Sequence, residues 1–126
     1  ARGSQKFSAV NWPSRTEERK HIMIDQTIAM QGSCWVMPHD WWDNVIGELQ
    51  IEGYDTHYQD SHEMVFKTWK KGGKLMINKN TWFAHKHRSF PRTHGYGGKK
   101  ADACFAYALR AWRTYFEKDI KPKWGI

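Results

Sequence analysis

The chain has 126 residues, of which 20 are Lys or Arg and 13 are Asp or Glu, so its formal net charge is +7. This length fits one domain, and no stretch is apolar for long enough to predict a membrane span or a signal peptide. Only Cys34 and Cys104 are present, which excludes a disulfide framework and favours a reducing, cytoplasmic compartment. The positive charge favours anionic ligands, such as a nucleotide diphosphate or a nucleic acid.

The first part of the chain predicts an entry segment, a strand and a short helix. Residues 1–24 are polar as far as Lys20 and end in a short apolar run that could form a strand. A glycine-led, β-prone run predicts a strand over residues 31–37. Pro38 then opens a short helix that runs to Ile46.

The clearest helix signal covers residues 61–70. Apolar side chains recur there at helical spacing, and Glu63 adds favourable negative charge in the first turn. Asp60 or Ser61 stands where a side chain can accept the free backbone N–H groups of a helix start. An N-cap is therefore one interpretation of Asp60, and a functional carboxylate is the other.

A glycine stop and two β-prone runs follow this helix. Gly72 and Gly73 can take a positive φ and end the helix. Residues 74–77 and 81–84 then predict two short strands, the second of which would carry His85 to its end.

The C-terminal part predicts a glycine- and lysine-rich loop and a long amphipathic helix over residues 101–118. We therefore predict an α/β chain in which the strands form one mixed sheet with the helices packed on it. The single domain, residues 1–126, divides into an entry segment 1–24, a motif core 25–88, a loop 89–100 and a C-terminal helix and tail 101–126.

The motif core resembles the acceptor-side half of a family 2-like glycosyltransferase with a GT-A fold, similar to the polypeptide N-acetylgalactosaminyltransferases and their bacterial and phage relatives. The family pattern is an acid and a second carboxylate, an aromatic and a basic residue on one helix, Trp, a Gly-Gly turn, a strand, and His-x-x-Arg. The matching residues are Asp60, Glu63, Phe66, Lys67, Trp69, Gly72, Gly73, Leu75, His85 and Arg88. Upstream, residues 31–37 resemble the family's glycine-led strand.

The resemblance implies a metal-dependent glycosyltransferase that moves a sugar from a nucleotide-diphosphate donor to a hydroxyl acceptor. Asp60 and Glu63 would be the catalytic residues, with Asp60 accepting the proton of the acceptor hydroxyl in an inverting reaction or orienting the acceptor in a retaining one. For Glu63, a favourable helix charge is the alternative to an acceptor contact. His85 would bind Mn²⁺ (or Mg²⁺), with His87 as the second choice.

The resemblance also implies a donor-binding role for the loop 89–100 and the arginine before it. Arg88 would bind the diphosphate through charge-assisted hydrogen bonds. His94 and Tyr96 would meet the nucleotide when the loop closes as a lid. An ordinary mobile basic loop is the alternative.

The chain departs from the family pattern in ways that limit what it can do alone. Ser61 replaces the family Asn, and His57-Tyr58-Gln59 replaces Trp-Gly-Gly, which leaves the donor sugar and the stereochemistry open. The Asp-x-Asp or Asp-x-His metal motif of the donor half has no counterpart, since Asp55-Thr56-His57 lies downstream of the glycine-led strand. We therefore expect the C-terminal portion of a longer glycosyltransferase, inactive as this fragment.

Two other functions fit parts of the sequence. A basic nucleic-acid-binding module would use the positive charge, but the basic residues are scattered and no zinc-finger, KH or RRM pattern is present. A non-catalytic carbohydrate-binding module would use the eight tryptophans, whose rings stack on sugars but also serve as ordinary core residues.

Overall fold

The computed structural model describes residue 7 and residues 11–49, 59–86, 89 and 99–126. Among these residues the protein is a mixed helix and strand structure in which helix dominates. The elements in chain order are α1 (Pro13–Glu18), β1 (Ile24–Gln26), α2 (His39–Trp41) with a π-helical turn (Trp42–Ile46), α3 (Asp60–Lys70), β2 (Met76–Asn78), α4 (Lys99–Tyr115) with a π-helical turn (Phe116–Ile120), and α5 (Lys121–Trp124).

Helix α3 is the central element, and the prediction of a helix here is confirmed. The predicted N-cap position is wrong, because Gln59 occupies it with a φ of 70° and makes no capping bond through its side chain. Asp60, the first helical residue, nevertheless accepts a hydrogen bond from the free backbone N–H of Ser61. The Gln59 amide is used elsewhere: it accepts a hydrogen bond from the Phe7 backbone N–H and donates one to the Phe7 carbonyl, each at 3.2 Å. These two hydrogen bonds hold Phe7 of the entry segment at the start of α3.

The glycine stop after α3 is confirmed. Gly72 has a φ of 76°, in the left-handed region that only glycine enters without strain. Its N–H bonds the Trp69 carbonyl at 3.0 Å, and the N–H of Gly73 bonds the Thr68 carbonyl at 2.9 Å. These bonds satisfy carbonyl groups that the end of a helix leaves open.

The sheet differs from the predicted one. It consists of β1 and β2 in antiparallel pairing, with Asp25 opposite Ile77. The predicted strand 74–77 is shifted to Met76–Asn78, and its partner comes from the end of the entry segment. Residues 31–37 and 81–84 form no strand, because β-prone residues become a strand only where a neighbouring strand accepts their backbone hydrogen bonds. The predicted single mixed sheet of these three runs was wrong.

The C-terminal helix prediction is confirmed by α4 and the π-helical turn that continues it. The core lies between this helix and α3, where Phe66 stacks on Trp112 at 5.5 Å and meets Phe7 edge-on at 4.9 Å. Trp69 meets Trp124 edge-on at 5.5 Å, which adds α5 to the same core. Large aromatic rings supply most of the apolar contact here, and this accounts for much of the high aromatic content.

The sheet is joined to α1 by a buried carboxylate. Asp25 accepts two hydrogen bonds from Nε of Arg19, at 2.9 and 3.1 Å, and lies 3.4 Å from Nζ of Lys79. The Arg19 hydrogen bonds hold the pKa of the Asp25 carboxyl well below its usual value. No helix in the described ranges is long and apolar enough to cross a membrane.

Candidate functional site

The start of α3 is the place where two distant parts of the predicted motif meet. A β-carbon added to Gly32 would lie 3.5 Å from Cβ and 3.6 Å from Oγ of Ser61. The backbone of Gly32 therefore lies close to Ser61, the residue that follows the proposed catalytic acid Asp60.

Asp60 is the first residue of α3 and is partly exposed. Its Oδ1 accepts a hydrogen bond from the backbone N–H of Ser61 at 2.6 Å. The favourable field of a helix N-terminus acts on the carboxylate as well. The structure thus leaves the Asp60 side chain within reach of solvent while fixing the orientation of one of its oxygens.

Glu63, the second predicted carboxylate, has a different environment. Its side chain is 0% exposed and lies 2.9 Å from Nζ of Lys67. Lys67 also donates to the carbonyl groups of Ile46, at 2.7 Å, and Glu48, at 2.8 Å. The pair therefore ties the end of the π-helical turn to α3. The catalytic role of Glu63 stays a prediction, and in this conformation its carboxylate is engaged by Lys67.

His62 is a residue beside Asp60 that the motif did not single out. Its ring stacks on Phe7 with the ring centres 6.2 Å apart, and Nδ1 is buried with no hydrogen-bond partner among the described residues. Burial lowers the pKa of the imidazole below its ordinary value of 6.5, and the charge of Asp60 opposes this shift. In the sequence, the signal for His62 was its position between Asp60 and Glu63, which puts an imidazole ring near the proposed catalytic carboxylate.

The Gly-Gly turn packs against the helix that follows the glycine-led segment. A β-carbon on Gly73 would lie only 2.5 Å from Cζ2 of Trp41 and 2.9 Å from Cγ2 of Thr68. The Trp41 indole also donates a hydrogen bond to Oγ1 of Thr68 at 3.3 Å. Trp41 is therefore a packing residue, and a glycine is required at 73 because an indole ring occupies the space of any side chain.

Trp42, the residue after Trp41, stacks on a second indole ring that is exposed. Its ring lies parallel to that of Trp35, with an interplanar angle of 3° and a centre-to-centre distance of 6.1 Å. Trp35 is 40% exposed, and it follows Gly32 by three residues.

His85, the predicted metal ligand, is exposed in the segment after β2, which has no regular secondary structure there. An exposed imidazole can supply one ligand to a divalent metal. Within the described part of the chain, no group of three His, Cys, Asp or Glu side chains could hold a metal ion. The assignment of His85 as a metal ligand stays a prediction.

The remaining predicted site residues lie outside the described residues. They are Arg88, His94 and Tyr96 for the donor, His87 as the second metal ligand, and Asp55 in the step before the acid. Their assignments stay predictions.

No protein-family model, curated protein or solved structure matches the chain. Its function has to be argued from its own residues and their arrangement.

Proposed function

We infer that this chain is the acceptor-side part of a GT-A-like glycosyltransferase, which transfers a sugar from a nucleotide-diphosphate donor to a hydroxyl acceptor. The observation that carries the proposal is the proximity of Gly32 to Ser61, since a β-carbon on Gly32 would be in van der Waals contact with the Ser61 side chain. It joins the glycine-led segment to the acid-bearing helix start, although the two are 29 positions apart in the chain (61 minus 32). A structure in which these segments were separated would leave the sequence resemblance without a site.

The packing of the Gly-Gly turn supports the same proposal. Gly73 lies against Trp41, and Trp41 belongs to the helix that directly follows the glycine-led segment. The short helix is thus joined to α3 by direct packing, and the segment of Gly32 lies close to the start of the same helix. Such rigid support is what a catalytic carboxylate needs to keep its geometry.

The proposed role of Asp60 follows from its exposure and its surroundings. Its carboxylate can accept the proton of an acceptor hydroxyl as the oxygen attacks the anomeric carbon of the donor sugar. The hydrogen bond from the Ser61 N–H fixes Oδ1 and leaves Oδ2 as the oxygen for proton transfer. Removal of the proton makes the acceptor oxygen a stronger nucleophile.

The proposed metal is Mn²⁺ (or Mg²⁺), with His85 as one ligand. When bound, such an ion stabilises negative charge on the diphosphate leaving group. Arg88, His94 and Tyr96 are proposed to contact the same donor. Because a donor-half carboxylate motif is required as well, we propose that this chain is inactive by itself.

The Trp35–Trp42 stack is proposed to form part of the acceptor side. The apolar face of a sugar ring can stack on an exposed indole, and the second indole behind it keeps the first in place. The proposal therefore favours a glycan acceptor.

The test uses the natural polypeptide that contains this sequence, incubated with Mn²⁺ and a panel of UDP-, GDP- and dTDP-linked sugars. We expect release of the nucleoside diphosphate from one donor, loss of release in EDTA, and loss in the Asp60→Asn variant. Salt-dependent retention on DNA without such release would instead favour a nucleic-acid-binding module. Sugar binding that is indifferent to nucleotide and Mn²⁺ would favour a carbohydrate-binding module.

A further inference from the structure

Among the residues that the structure describes, the outer edge of β2 has no partner, whereas protein side chains occupy the outer edge of β1. The N–H of Lys79 bonds the carbonyl of Met23 at 2.7 Å, and the N–H of Thr27 bonds the carbonyl of Leu75 at 2.9 Å. In this antiparallel register Asp25 and Ile77 form the hydrogen-bonded pair between these two bonds. The backbone N–H and C=O groups of Ile24 and Gln26 on β1, and of Met76 and Asn78 on β2, therefore point outward, away from the partner strand.

On β1, this outward edge is occupied by side chains of the protein. The N–H of Gln26 donates to Oδ1 of Asp25 at 2.8 Å, and its carbonyl accepts a hydrogen bond from Arg15 at 3.4 Å. A further strand could not pair there without displacing both bonds.

On β2, the outward backbone groups belong to Met76 and Asn78. Neither residue has a backbone partner on that side among the described residues. Met76 is 53% exposed and Ile77 46% exposed, and Trp82, a few residues later, is 85% exposed. Unpaired strand edges beside exposed apolar side chains are sites where another strand adds to a sheet.

We propose that the outer edge of β2 is a strand-addition site for an extended, apolar peptide segment of a partner polypeptide that carries acidic residues at its ends. A strand is specified because only backbone N–H and C=O groups at strand spacing satisfy those of Met76 and Asn78. Apolar side chains are specified because Met76 projects from the sheet beside this edge. The site is independent of the transferase activity.

The positive charge around the β2 edge favours a partner peptide with acidic ends over a second copy of this chain. Exposed lysines flank the site, with Lys74 just before β2 and Lys86 after Trp82, and the chain carries a net charge of +7. Two copies paired through β2 would bring these lysines together, and lysines on an edge strand oppose such self-pairing. Acidic ends on the incoming strand would instead meet the lysines with opposite charge.

The experiment follows the backbone amides of the ¹⁵N-labelled chain during titration with a peptide. The probe is acetyl-Asp-Glu-Thr-Val-Thr-Val-Thr-Val-Glu-Asp-amide. We expect saturable shifts at Met76 and Asn78 and exchange of these two amides that is at least about tenfold slower in the complex. The amide of Ile24, on the outward side of β1, should not change.

Three matched controls separate strand pairing from general adhesion. The same peptide with N-methyl groups on every internal residue cannot donate hydrogen bonds along either edge, and it should bind at least about tenfold more weakly because hydrogen bonds are lost. A version with lysines in place of its acidic ends should also bind more weakly. In the protein, Met76→Pro removes only an outward N–H, which proline at a strand edge tolerates, and should abolish binding.

Several results would overturn the proposal. They are the absence of shifts at 1 mM peptide, equal binding of the N-methylated peptide, and changes at Ile24 instead of Met76. Protection of Met76 that rises with protein concentration alone would identify a second copy as the occupant. Protection by phosphatidylglycerol vesicles alone would identify a lipid surface. If Met76→Pro does not fold, the N-methylated peptide still decides the question.

Discussion

The ring of Trp41 fills the space where a side chain at position 73 would have to be, with Cζ2 of Trp41 only 2.5 Å from the β-carbon position of Gly73. Gly73 is therefore required by tertiary packing. Its neighbour Gly72 has no atom within 4 Å of the equivalent position and is required by its φ of 76°. Two adjacent glycines thus serve two different physical purposes.

The first prediction separates these purposes. Gly73→Ala should lower the free energy of unfolding by about 1–3 kcal/mol, since the added methyl group forces Trp41 or Thr68 to move. Gly72→Ala should cost about 1–2 kcal/mol through its backbone conformation alone. Urea unfolding measures both. Adding Trp41→Leu should remove much of the Gly73→Ala penalty and none of the Gly72→Ala penalty; additive effects in both double variants would contradict this account.

The second prediction concerns the buried ion pair in α3. Lys67→Met should destabilise the fold by about 3–5 kcal/mol, because it removes the cation beside a fully buried Glu63 carboxylate. Lys71→Met removes the same charge from an exposed site and should change stability by no more than about 0.5 kcal/mol. Adding Glu63→Leu to Lys67→Met should recover part of the loss. Equal effects of the two lysine variants would show that the pair is not structurally important.

The third prediction is a pH dependence from His62. Its folded pKa lies below the ordinary 6.5, so the unfolded chain takes up the proton first as pH falls. The free energy of unfolding should therefore fall below pH 6.5, by up to about 1.4 kcal/mol per pH unit until the folded pKa is reached. Urea midpoints at pH 7.5 and pH 5 should differ more in the wild type than in His62→Gln. Asp25 does not contribute in this window, because its carboxyl is ionised in both states above its ordinary pKa of 3.8.

The fourth prediction tests the aromatic stack as an acceptor site in the natural polypeptide. Trp35→Ala should raise the KM for a glycan acceptor by about fivefold, the order expected for one aromatic contact, and leave the KM for the donor unchanged. Val36→Ala is the matched control, since Val36 is adjacent and 98% exposed but has no flat ring. An unchanged acceptor KM in Trp35→Ala would remove the stack from the proposed site.

The fifth prediction separates the proposed base from the proposed metal ligand. Asp60→Asn should lower kcat by about 10²–10⁴-fold and keep Mn²⁺-dependent binding of the nucleoside diphosphate, because an amide cannot take the proton. His85→Ala should weaken that binding in calorimetry, since it removes a ligand from the metal. If Asp60→Asn kept the wild-type turnover, Asp60 would not be the base and would serve only as a residue of the first helical turn.

The helices could be predicted from the sequence because their signals are local. The apolar spacing in residues 61–70 and 101–118 and the positive φ of Gly72 depend on near neighbours in the chain, and α3 and α4 formed accordingly. The strands could not be predicted so well. Residues 81–84 are as β-prone as β2, but a strand exists only where another backbone accepts its hydrogen bonds.

The candidate site divides in the same way. The family resemblance implied that Asp60 and Glu63 act as a catalytic pair, and their spacing places both in one helical turn. The tertiary structure gives the two carboxylates different surroundings. Glu63 is fully buried beside Lys67, whose ammonium group also donates hydrogen bonds to the carbonyl groups of Ile46 and Glu48. Asp60 stays partly exposed, and its neighbour Ser61 lies close to Gly32, a proximity that no local pattern encodes. Burial and long-range proximity depend on how distant segments pack, so the tertiary fold determines which carboxylate is buried and which is partly exposed.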